Sequence, residues 1–143
     1  LISIVVVLLG IRVLEAGYYA LAGKVTNLQP TFKHWLALSC WTSLPALIGT
    51  LGMAAFLLMA QSNQIGTYEL QLLSLNELMF HKKMNEPGFT LLSTLTILHP
   101  WMWVLSILGV QNWSGRSLGF STTFVLLPVA VVYGTWGLVA FSR

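Results

Sequence analysis

Few residues in this chain are equipped for chemistry, and the sharpest of them are a pair. Arg12 and Glu15 lie three apart inside an apolar run. On a helix that spacing puts them on one face, and ionisable groups in such a run are costly unless they find partners inside the protein. Three roles fit: a local pair that neutralises itself while Arg12 snorkels, a polar contact that orders neighbouring helices, or a step on an ion or proton pathway. His99 comes next, followed by Pro100 and close to Trp101 and Trp103. An imidazole near a helix break could switch or bind a metal; the simpler reading is a neutral histidine among interface aromatics. His34, His81 and His99 share no H-x-x-x-H spacing, so a metal site is not expected. Cys40 is the single cysteine and cannot form an internal disulfide. The sequence has no G-x-S-x-G, H-E-x-x-H, phosphate-binding loop or dinucleotide fingerprint. Neither an enzyme activity nor a cofactor is expected.

The elements that must carry these residues are apolar. Hydrophobic residues make up 56% of the chain and charged residues 8%, too few to coat a water-soluble domain. Four long apolar stretches cover 1–22, 35–60, 89–110 and 118–141, each near the roughly 20 residues a helix needs to cross a bilayer. The expected fold is all-α, a single integral membrane helical bundle over 1–143 with four transmembrane helices. The first stretch is a poor signal peptide, because Arg12 and Glu15 interrupt it. Tyr18 and Tyr19 sit where an aromatic belt would lie.

The second stretch holds Pro45, which predicts a kink or a local break in the hydrogen-bond ladder. Ala46, Gly49, Gly52 and Ala55 offer a small-residue face for close helix packing, which predicts a place inside the bundle. Pro100 and Pro128 predict bends in the third and fourth stretches. Within the 61–88 connection, 68–80 reads as a short amphipathic helix. Its Leu72, Leu75, Leu78 and Met79 share one face, opposite Gln71, Ser74 and Glu77, which suits a helix at the membrane interface or one folded back on the bundle. The turn 81–88 follows. Asn76, Glu77, Lys82 and Lys83 could form a docking or headgroup surface, although polybasic lipid sites use about four or more cations. The net charge of +3 is small and scattered, which argues against nucleic-acid binding. Lys24, Lys33 and Arg116 favour a cytoplasmic side for the first and third connections.

The order of these features resembles the Yip1 domain family of small polytopic membrane proteins. The resemblance rests on a Tyr-rich helix closing on Gly23-Lys24, on Phe32 followed by LALSCWTSLP (36–45), on LHPWMWVLSILG (98–109), and on the closing helix from Pro128 to Trp136. The family usually has five spans, so the resemblance implies a further one before Leu1, in keeping with a chain that opens inside an apolar run. His99 stands where the family often has an acidic residue. The resemblance implies a membrane scaffold, linked in eukaryotes to vesicle traffic.

The function expected is therefore non-enzymatic: a scaffold or accessory subunit that binds lipid, other membrane proteins or itself. Pro45, Gly49 and Gly52 would form the packing surface, and Arg12 with Glu15 the internal polar contact. The location would be a bacterial inner membrane or a eukaryotic endomembrane. The alternative is a small oligomeric channel or transporter using Arg12 and Glu15.

Overall fold

A computed structural model describes residues 2–59 and 71–142. Six α-helices lie among them: α1 (Ile2–Val25), α2 (Phe32–Thr42), α3 (Ala46–Met59), α4 (Phe89–Thr94), α5 (Leu98–Ser114) and α6 (Leu118–Phe141). A single π-helical turn spans Asn76–Phe80. The described residues contain no strand, only an isolated bridge between Ser74 and Thr96. Among them, Phe32–Met59 and Leu118–Phe141 are long and apolar enough to cross a membrane. The chain divides into two compact units, Leu1–Leu44 with Trp103–Leu126 and Pro45–Met102 with Leu127–Arg143.

The prolines set the helix boundaries by removing backbone donors. Pro45 cannot donate to the Trp41 carbonyl. Leu44 N–H does so instead at 3.2 Å, and the Ser43 hydroxyl takes the Cys40 carbonyl at 2.7 Å. Of the kink and the break expected here, the structure has the break, with α2 ending at Thr42 and α3 starting at Ala46. Pro100 falls in the first turn of α5, where no intrahelical donor is needed, and the break precedes it at 95–97. Pro128 lies inside α6, whose helical assignment runs through it. The Phe124 carbonyl that Pro128 leaves without its usual donor accepts the Tyr18 hydroxyl at 2.9 Å.

In the first unit an aromatic core forms around Trp35, which is fully buried. Tyr19, Trp113 and Phe124 surround its ring at centroid distances of 5.8, 6.1 and 5.8 Å. Leu38, Val110 and Val125 complete the cluster. A Cβ on Gly109 would run into Leu38, so the absence of a side chain there lets that leucine seat. Tyr18 and Tyr19 thus belong to the core, with Tyr19 only 2% exposed, and not to an interface belt. Helical spacing placed them on α1, but the aromatic partners on α2 and α6 are distant in sequence.

Two further expectations change. Residues 68–70 lie outside the described residues, and 71–74 form a turn and bridge rather than a helix. The faces are also mixed: Ser74 and Asn76 are buried, Leu78 and Met79 are exposed, and Glu77 is exposed as its face predicts. Hydrogen bonding explains the two buried polar residues. The Asn76 side chain accepts from Lys82 N–H at 3.0 Å and donates to the Lys82 carbonyl at 3.2 Å. The Ser74 hydroxyl accepts Glu77 N–H at 3.1 Å. Pairing Leu75 N–H with the Leu95 carbonyl, and Ile97 N–H with that of Leu73, then ties 73–75 to 95–97. The amphipathic pattern lost because buried polar side chains that complete backbone bonds are worth more than an ideal helix face.

The second change concerns α3. It buries none of its residues. A Cβ on Gly52 would meet nothing within 4 Å, and one on Gly49 only ordinary contacts with Leu98 and Leu73 at 3.6 and 4.0 Å. The small residues bring α3 up to Leu98 and Leu73 at Gly49 without burying any of its own residues, so among the described residues α3 is not an interior helix.

Candidate functional site

The polar centre of the first unit grows from Glu15. Its Oε2 accepts Arg12 Nη1 at 2.7 Å, closing the i, i+3 pair that the sequence spacing predicts. One turn further along α1, the Tyr19 hydroxyl donates to Oε1 at 3.2 Å. From α2 the Ser39 hydroxyl donates to Oε2 at 2.5 Å. Ser106 on α5 lies near the Tyr19 hydroxyl. Ser39 and Ser106 are buried at 0% and 4% exposure, whereas the two charged side chains are each 28% exposed. Both carboxylate oxygens are thus occupied by groups from within the unit, and charge-assisted bonds of this kind are the strong ones. The arrangement fastens α1 to α2 at mid-helix. Tyr19 could have been found from its i, i+4 spacing to Glu15. Ser39 and Ser106 could not, because nothing in the sequence marks one serine among many as a tertiary partner.

Five threonines on the helices satisfy themselves locally. Thr50, Thr94, Thr122, Thr123 and Thr135 each return their hydroxyl to the carbonyl four residues earlier, at 2.7–3.3 Å. That is the arrangement expected where no water is at hand. Tyr18 serves α6 in the same way, through the carbonyl beside Pro128. Replacing Tyr18 with phenylalanine should leave that carbonyl unpaired and cost about 1–3 kcal/mol. Thermal unfolding in detergent checks this, with Thr135→Val, which removes only a self-satisfied hydroxyl, expected to change little.

The two helix-starting histidines share one device. Thr31 N–H donates to His34 Nδ1 at 3.2 Å, and the Thr31 hydroxyl lies 2.8 Å from the same nitrogen. Thr96 and His99 repeat the pattern at 3.0 and 2.9 Å. Each histidine stands in for the Glu or Gln of a capping box, a signal legible as Thr-x-x-His. His99 is part-buried and edge-on to Tyr133 at 6.2 Å. Its first task is to start α5. Of its aromatic companions, Trp101 is 50% exposed and Trp103 part-buried. Among the described residues no group of three or more His, Cys, Asp or Glu could hold a metal ion.

At the connections, Arg116 donates to the Thr26 carbonyl at 3.3 Å and lies over the Phe120 ring. This ties the α5–α6 turn to the α1–α2 turn, the two connections whose cations favour one membrane face. In the second unit Pro45 is buried, while Gly49 and Gly52 lie on α3, which buries none of its residues. Comparison of the chain with known protein families, curated proteins and solved structures finds no match.

Proposed function

We propose that the chain is an integral membrane bundle of Yip1 type, in which α1, α2 with α3, α4 with α5, and α6 make four crossings. Its role is non-enzymatic: a scaffold or accessory subunit that holds lipid, other membrane proteins or a second copy through helix packing, in a bacterial inner membrane or a eukaryotic endomembrane. One observation carries this reading. Large apolar side chains stand on the exterior of the described residues, and several small polar ones lie inside beside the aromatic core. Leu14, Leu58, Met59 and Leu138 are 76%, 88%, 81% and 77% exposed, while Ser39, Ser74, Asn76, Ser106 and Ser121 are buried. Water makes such an exterior unfavourable at about 25 cal/mol per Å² of apolar surface; lipid tails do not. The exposed part of α3, where Gly52 faces open space, then serves as the surface offered to a partner, with Gly49 packed toward Leu98 and Leu73.

The occupied Glu15 carboxylate supports a structural rather than a transporting role for the charged pair. Glu15→Gln and Arg12→Gln, each expressed in full chain, separate the two. Loss of assembly or of co-purifying partners, without a specific change in flux through proteoliposomes, is expected. Normal assembly with altered ion or proton flux would instead establish a channel or transporter.

A further inference from the structure

A cavity of about 320 Å³ lies in the second unit where the 84–90 segment meets the end of α6. Glu86, Asn85, Phe89, Thr90 and Trp136 contribute to its wall. The wall is fixed from several directions. Gly88, in the left-handed region at φ +82°, sits against the Phe141 ring and donates its N–H to the Ala140 carbonyl at 3.1 Å. Phe89 is 7% exposed. The Asn76 side chain clamps the backbone of Lys82, and Lys82 Nζ crosses the loop to donate to the Pro87 carbonyl at 2.7 Å. The volume is at the lower end of ligand sites, about 300–1,000 Å³, and so suits a headgroup-sized molecule.

The chemistry of the wall sets the sign of what fits. Glu86 is the charged residue among those that line the cavity, and it forms no salt bridge among the described residues. Trp136 adds an indole, the best aromatic surface for a cation. The C-terminal turn of α6 carries the negative end of the helix dipole. Of the nearby cations, Lys82 is already spent on the Pro87 carbonyl and on the Phe141 ring, 5.3 Å from its centroid, and Lys83 is exposed and outside the lining. The seat of Lys82 illustrates how this corner of the fold receives an ammonium: one carbonyl and one aromatic ring.

We propose that this cavity binds an alkylammonium group, with Glu86 as counter-ion and Trp136 as aromatic wall. The group has two natural sources, the headgroup of an aminophospholipid or a free amine. The lipid source rests on the membrane reading above, since it requires the end of α6 to lie at a bilayer surface.

The test uses the full chain in detergent micelles. Native mass spectrometry with equal phosphatidylethanolamine and phosphatidylglycerol should retain the former. Glu86→Gln, a surface change that leaves the fold intact, should weaken that retention about tenfold, and Lys83→Gln should not. Titration with ethanolamine, followed by the Trp136 indole N–H resonance, forms the second arm. A shift abolished by Glu86→Gln, without lipid selectivity, assigns the site to a free amine and upholds the cavity's chemistry. Equal retention of the two lipids together with no Glu86-dependent ethanolamine shift overturns the proposal. Should the chain prove monodisperse without detergent, the membrane reading fails, yet the ethanolamine titration in buffer still decides the cavity on its own.

Discussion

Replacing Glu15 with leucine is expected to destabilise the protein by about 3 kcal/mol, the lower part of the range for breaking a buried pair from one side. The loss is larger than that of one contact because three donors converge on this carboxylate: Arg12, Tyr19 and Ser39. Leucine leaves all three without their acceptor, and in a medium that cannot hydrate them the Arg12 charge dominates. Partial exposure of Arg12, at 28%, lets it snorkel and holds the cost below the upper end of that range. Glu15→Gln keeps an acceptor oxygen and should lose about half as much. The double change Arg12→Leu with Glu15→Leu should recover much of the loss, since removing both charges removes the unpaired one. Thermal unfolding of the four proteins in one detergent measures the cycle. Strict additivity of the two single changes would mean that the pair does not act as a unit.

The second large effect concerns Trp35. It is fully buried, ringed by Tyr19, Trp113 and Phe124, and packed edge-on to Gly23, where an added Cβ would lie 3.4 Å from Nε1. Trp35→Ala should cost about 3–5 kcal/mol through the cavity it leaves and should loosen α2 from α1. Trp35→Phe should cost far less than its lost volume suggests. The indole Nε1 is buried without a hydrogen-bond partner, and phenylalanine removes that unsatisfied donor along with part of the ring. Equal loss in the two variants, read by thermal unfolding, would show that the indole nitrogen has a partner that matters.

The contrast between these two sites shows what the sequence could reveal. Arg12 and Glu15 were legible as a pair because their spacing is local and their charge is conspicuous in an apolar run. Their setting was not, because Ser39 is 24 residues away along the chain and reaches Glu15 only once α2 has folded back. Proline positions marked where the second and third stretches fail as single helices, but not how. The donors that replace the missing N–H groups at Pro45 and Pro128 are the backbone N–H of neighbouring Leu44 and the hydroxyl of a distant tyrosine. Periodicity misled most at 71–80. There the pattern of leucines described a helix, while Ser74 and Asn76 had backbone groups to satisfy and were drawn inward. On α3 the small residues were legible as a packing face; the neighbours Leu98 and Leu73 at Gly49 were not, and α3 buries none of its own residues.

The account depends on lipid rather than water surrounding Leu14, Leu58 and Leu138. Alkaline carbonate extraction of membranes from cells expressing the full chain tests this most directly. The expected result is a chain that stays with the membrane pellet through carbonate and leaves it only in detergent. Release into the carbonate supernatant as a folded, monodisperse species would contradict it.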